Sequence, residues 1–213
     1  MKQLPKLSQL GWIIAAVVAV SFSALGFQPA GEKTGVIDLN RVIQQSDLGK
    51  QNTTDLNTAL LQRRQLMDFV NTYKVLTTEQ AQRMRELMLK PNAPEAEKAA
   101  LEKIRQDVME SDRKSKELQQ KQNLTDADRT VLQDFAQRTQ VMAQVLERWN
   151  SEFTEELQKL ESDLRDQTIT KAKASLGEVA KAGSFTVVHE ATVTPYGAND
   201  LTDATIKAMN AKK

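Results

Sequence analysis

The sequence predicts a mainly α chain with a small β-body, in which a long α-helical hairpin is inserted between two strand segments. Three observations lead there. Gly35 to Asn40 (GVIDLN) and Phe185 to Thr194 (FTVVHEATVT) both read as strands, yet they stand at opposite ends of the 213 residues. Between Gly49 and Gly177 there is no glycine and the only prolines are Pro91 and Pro94, so little in that stretch opposes helix. Aromatic residues make up 5% of the chain and charged residues 27%, the balance of an elongated helical protein with a thin core. The chain leaves a sheet, makes a long excursion and returns. Such a rod offers no compact domain to hold a pocket.

The first element is a leader. Lys2 and Lys6 precede the uncharged stretch Leu10 to Phe27, which holds the dense apolar run Trp12 to Val20, and the chain turns polar at Gln28. This is the shape of a secretory signal peptide over residues 1–26. Small residues at Ala24 and Gly26 place cleavage after Gly26; Ala30 is a poorer site because the bulky Gln28 lies two residues before it. A permanent membrane anchor is the competing reading, since the uncharged stretch is long enough for a short spanning helix. Either way, the rest of the chain is delivered across a membrane. The chain has no cysteine, so no disulfide staples it and no lipid can be attached in the conventional lipoprotein manner.

The excursion, residues 49–182, divides at breaks near 76–78, 90–94 and 123–125. Leu56, Leu60, Met67 and Val70 form an apolar face on its opening stretch, and Leu101, Ile104, Val108 and Leu118 form another farther on. Thr77 or Thr78 can N-cap a short helix, with Glu79 or Gln80 placed to complete a capping box. Lys90 to Pro94 (KPNAP) ends that helix, because a proline disfavours helical geometry in the residue before it. Thr125 with Asp128 reads as another N-cap and marks the turn of the hairpin. The earlier breaks are then a kink or side-step in the outgoing arm. From Asp126 to about Lys181 the chain reads as one returning helix, roughly 80 Å long at ~1.5 Å per residue. Leu132, Leu146, Phe153 and Leu160 share one heptad position along it, and Phe135, Met142 and Trp149 share another. Thr139 interrupts the first series, and at Glu156 the seam shifts to Leu157 and Leu164. Met84, Met88, Met109 and Met142 fall on helix faces that suit hairpin core, the alternative being an adaptable binding surface.

Charge excludes some partners. The net charge of +1 falls to −1 without Lys2 and Lys6, which leaves no electrostatic case for nucleic acid. Glu102 with Arg105 and Asp112 with Lys116 stand at helical neighbour spacings on solvated faces. One local excess, Arg113, Lys114, Lys116 and Lys121 against Glu117, lies near the hairpin tip with Met109. It is a candidate contact for acidic clients or a membrane surface, or simply a solubilising face. Catalytic chemistry has little to work with: one histidine, no cysteine and no glycine-rich loop before a helix. His189 lies in an alternating strand without a partner histidine, and Glu155 and Glu156 sit on a rod, so no cofactor, metal or catalytic residue is assigned.

The two ends carry a family resemblance. GVIDLNRVIQQSDLGKQ (Gly35 to Gln51) resembles the opening of mature Skp/OmpH-like periplasmic chaperones, and FTVVHEATVTPYGANDLTDATIKAMN (Phe185 to Asn210) resembles their end, including the helix start at Asp200 to Asp203. The resemblance implies a homotrimer. Residues 34–48 and 183–213 would form a discontinuous oligomerisation body, with Val36, Ile37, Leu39, Val42, Ile43, Val187, Val188 and Val193 in or beside it. The arms would enclose a cavity that holds unfolded outer-membrane or exported proteins without ATP, in the periplasm. That agrees with the residues themselves, since so few strand positions per chain cannot make an independently stable sheet. Two features depart from the family: its better-known members are strongly basic, and the arm here is longer and more interrupted. LTTEQ (Leu76 to Gln80) also resembles the LTxxQ motif of the Spy/CpxP periplasmic proteins, although the same residues make an ordinary helix cap; LTDAD (Leu124 to Asp128) lacks the final glutamine. The alternative function is an inner-membrane-anchored coiled-coil adaptor of the cell envelope, with the leader retained.

Overall fold

The structure, a computed structural model, describes residues 32–194 and 197–211. The leader, its cleavage site and the Lys2/Lys6 pair therefore lie outside the described residues. In chain order the elements are β1 (Thr34–Ile37), α1 (Leu39–Gln45), α2 (Asp47–Tyr73), α3 (Thr78–Leu89), α4 (Glu95–Gln120), α5 (Asp126–Ala182), β2 (Val187–Glu190) and α6 (Thr202–Ala211). Both strands are shorter than the sequence suggests. Asp38 ends β1 by accepting a hydrogen bond from the Arg41 N–H at 2.8 Å, which caps α1 and turns Leu39, Val42 and Ile43 into helix.

The body is closed by the return of the chain. β1 and β2 pair in parallel, Thr34 opposite Val187 through Ile37 opposite Glu190. Parallel neighbours need a crossover, and here the crossover is the entire arm. On the other side of β1 the Val36 N–H donates to Asn199 and the Leu201 N–H donates to Val36, each at 2.8 Å, so β1 is the middle of three extended segments. Ile37, Val42, Ala172 and Met209 are buried beneath them, with Leu48, Leu176 and Ile206 packed around. At the corner between α1 and α2, Ser46 ends one helix and caps the next through the Gly49 N–H. Only glycine fits that corner, because a Cβ at Gly49 would lie 1.6 Å from the Ile43 carbonyl oxygen.

From the body, α2 runs out and α5 runs back against it. The Asn52 amide donates to Leu164 O (3.0 Å) and Thr168 Oγ1 (2.9 Å), and Arg63 meets Glu156 at 2.8 Å, which fixes the antiparallel register. The arm then departs from a simple hairpin. Lys74, in the left-handed region at φ 50°, ends α2, and the following turn lies beside Asp134, Arg138 and Val141 of α5. By Arg85, α3 has reached Glu152 and Glu156, so it runs back toward the body alongside α5. A second turn through Asn92 (φ 53°) sends α4 out again, its Arg105 over Phe69 of α2. The outgoing chain is thus folded into a Z. What the sequence reads as a kink or side-step is a complete double reversal.

That Z gives the arm the compact core that the sequence does not show. Leu66, Val70, Leu76, Met84, Val108, Met142, Val145, Trp149 and Phe153 are buried together where α2, α3, α4 and α5 run side by side. The heptad positions Phe135, Met142 and Trp149 all point into it. Beyond this node only α4 and α5 continue, to the turn between Lys121 and Thr125. α5 alone, at 57 residues, spans about 86 Å at ~1.5 Å per residue.

Candidate functional site

Two of the helix starts along the arm, those of α3 and α5, are built from local capping boxes, whereas α4 starts after Pro94 without a side-chain cap. Thr77 Oγ1 accepts from the Gln80 N–H (3.2 Å) while Gln80 Oε1 accepts from the Thr77 N–H (3.0 Å), so the Leu76 to Gln80 motif is spent on its own helix. Thr125 and Asp128 repeat the arrangement at the tip. Lys121, and then the Thr125 N–H, hold the Asp128 carboxyl down at about 2.

The basic excess at the tip is largely paired. Arg113 stands 3.9 Å from Glu110 and 3.7 Å from Glu117, Lys116 is 2.7 Å from Asp112, and Lys121 reaches Asp128 across the turn. Lys114 alone of the four has no ion-pair partner among the described residues. Met109 is 50% exposed, whereas Met84, Met88 and Met142 are core; the helix-face reading therefore fails for Met109.

In the body, the candidate residues divide by direction. Val36, Ile37 and Val42 are buried within the chain, and Leu39, Ile43 and Val188 are half-buried. Val187 and Val193 face outward, at 39% and 76% exposure, and no strand pairs with the outer edge of β2 among the described residues. His189 lies exposed on that same edge strand. Glu190 closes the strand: Thr192 donates to its carboxylate from hydroxyl and backbone, Leu39 N–H donates as well, and these bonds hold its carboxyl below the usual carboxylate range. Asp200 is lowered likewise, chiefly by Thr202, where it caps α6 beside Arg41.

Three exposed apolar side chains of the arm are Leu60, Leu61 and Met109. Leu60 belongs to the apolar face that periodicity marks with Leu56, Met67 and Val70, yet it is 49% exposed. Among the described residues no group of acids and histidines could hold a metal ion, and no helix is long and apolar enough to cross a membrane. The candidate site is a surface: an outward strand edge at the base, and above it the arm face that carries Leu60, Met67 and Leu157. The family model described as outer membrane protein (OmpH-like) matches residues 33–209. No curated protein matches the chain.

Proposed function

The chain belongs to the OmpH-like family, and from that membership we propose that it is an ATP-independent periplasmic holdase, a homotrimer whose arms enclose unfolded outer-membrane or exported polypeptides. The division of the molecule into a body with an unpaired strand edge and a long arm on which Leu60 stays half exposed beside Met67 and Leu157 carries the reading. Three copies of β2 would supply the pairing that one protomer lacks, with Val187 and Val193 turned toward the partners. Clients would be held by many weak contacts along the arms, so that no single residue dominates. Size-exclusion chromatography with light scattering tests the assembly; a stable monomer would count against it. For the activity, the mature chain is expected to suppress aggregation of a urea-unfolded β-barrel protein after dilution, without nucleotide. No effect at several-fold excess would remove the holdase reading.

The uncharged stretch Leu10 to Phe27 favours a second reading, an anchored envelope adaptor. The intact mass of the exported protein separates the two, since a chain beginning at Phe27 is free and one beginning at Met1 is tethered.

A further inference from the structure

Between the body core and the mid-arm node, α2 and α5 face each other, with α1 closing the body end of the segment and α3 reaching it only at Glu156. Over residues 53–65 and 154–167 no side chain is buried. Two cavities lie end to end along one face of this segment. The one nearer the body, about 250 Å³, is lined by Ile43, Gly49, Leu56, Leu164 and Thr168 among others. Its neighbour, about 270 Å³, is lined by Leu60, Met67, Phe153 and Leu157, with Arg63 and Arg64 at the edge. The α2 positions 49, 56, 60 and 67 recur at helical spacing, so the two cavities form one groove with an apolar floor.

Resting on the holdase reading, we infer that this arm-root groove binds one extended segment of unfolded client, with alternate apolar side chains entering the groove. Dimensions select the occupant. From residue 49 to residue 67 the groove runs about 27 Å at ~1.5 Å per residue, which equals about eight residues of extended chain at ~3.4 Å each. Leucines at i and i+4 on a helix rise by ~6 Å, close to the ~6.8 Å between same-side residues of a strand. A membrane β-strand alternates apolar and polar residues over about 9–11 positions, so one such strand, before it is folded, fills the groove in register. A second copy of the arm fits less well. The floor has only a few apolar residues, against the ~20–30 residues and ~800 Å² per partner of a stable interface. Each cavity is also smaller than the ~300 Å³ of the smallest ligand pockets, a size for single side chains rather than a helix about 10–12 Å wide. The rim carries Arg64, Glu161 and Arg165, both signs, so charge does not restrict the sequence bound.

Leu61 supplies the control. It is as exposed as Leu60, at 52%, but lies outside the groove lining. The full mature chain, L56Q/L60Q and L61Q are compared in suppressing aggregation of a urea-unfolded β-barrel outer-membrane protein, with light scattering to confirm equal assembly. A photoreactive residue at position 60 or 61 reports contact directly. The expected result is a several-fold higher concentration of L56Q/L60Q for equal suppression, L61Q unchanged, and client crosslinked from position 60 but not 61. Equal loss in L61Q, no loss in L56Q/L60Q, or crosslinks from position 60 only to a second copy of the chain would each overturn the groove assignment while leaving the holdase reading in place. If the unmodified chain itself fails to suppress aggregation, the holdase reading fails, and the groove assignment with it.

Discussion

Two stretches of the same arm are built from the same α2 and α5, and they differ in how many helices stand beside them. At the node, α3 and α4 are added, and Trp149, Met142, Leu66 and Met84 are each 1% exposed or less. Closer to the body α3 and α4 are no longer beside the pair, and Leu60 keeps half its surface in solvent. An apolar stripe on a helix buries only against neighbours, so two helices leave some of each stripe uncovered while four close around it. The node buries its apolar stripe, and the root leaves part of its stripe in solvent. The extra chain of the Z is what separates the two properties along one rod.

The most damaging way to break this contrast is to hollow out the node. Trp149→Ala removes a 1%-exposed ring that packs 5.9 Å from Phe153 and lies under the Arg85 guanidinium. It is expected to cost about 3–5 kcal/mol in urea denaturation. Leu60→Ala at the root, although it deletes an aliphatic side chain of similar chemistry to those in the node, should stay within ~0.5 kcal/mol. Comparable losses at both sites would mean that the root is covered in the assembled protein and the contrast is false.

Much of the node is legible in the sequence one element at a time and not as a whole. The Thr77/Gln80 and Thr125/Asp128 caps, the break at Lys90 to Pro94 and the heptad seam of Phe135, Met142 and Trp149 are local signals, each carried by residues within a few turns. The reversal of α3 is not local. It depends on Met84, Ala81 and Leu87 finding cover on helices far along the chain, and a proline that ends a helix does not say in which direction the next one starts. Leu60 shows the same limit from the other side. Periodicity identifies the apolar face of a helix but not the number of neighbours available to cover it, so the exposed root, which forms the candidate site, reads no differently from the buried face at Val70. The body edge is legible only as a strand: Val187 and Val188 are adjacent valines that the sequence places together in or beside the body, and it is the pairing with β1 that turns Val188 inward and leaves Val187 outward.

A smaller test probes how α3 is fastened. Arg85 bridges Glu152 and Glu156 and lies 4.9 Å from the Phe153 ring centre, while Glu156 also takes Arg63 and Glu152 also takes Arg148. Arg85→Ala should cost about 1–2 kcal/mol, since the lost bonds are charge-assisted but both carboxylates keep a cation. In a double-mutant cycle with Glu156→Gln the coupling should exceed the ~0.3–0.5 kcal/mol expected for the exposed Arg83–Glu86 pair. Thr77→Ala comes next, at about 1 kcal/mol for a lost cap, and circular dichroism should show less helix if α3 frays from its start.

The least effect is expected at the tip, where the arm is again a bare helix pair and the fastening is a single half-buried carboxylate at the turn. Asp128 holds Lys121 and the Thr125 N–H across the turn, and its carboxyl is lowered from 3.8 to about 2. The folded state therefore binds a proton at Asp128 less readily than the unfolded chain. Its contribution is fully present above about pH 4, the ordinary aspartate range, and is lost as pH falls through the folded value near 2. Because the ion pair lies at the surface turn and its Lys121 end is exposed and screened, Asp128→Asn should lower the melting temperature only slightly at about pH 7, and the difference from the unmodified chain should vanish by about pH 2. Hydrogen exchange at the α5 start, faster in the variant near neutral pH while the node amides are unchanged, would show that a bare helix pair frays at its tip without loosening the four-helix segment behind it. Faster exchange at Trp149 as well would mean that tip and node open together, and that the Z does not divide the arm into independent segments.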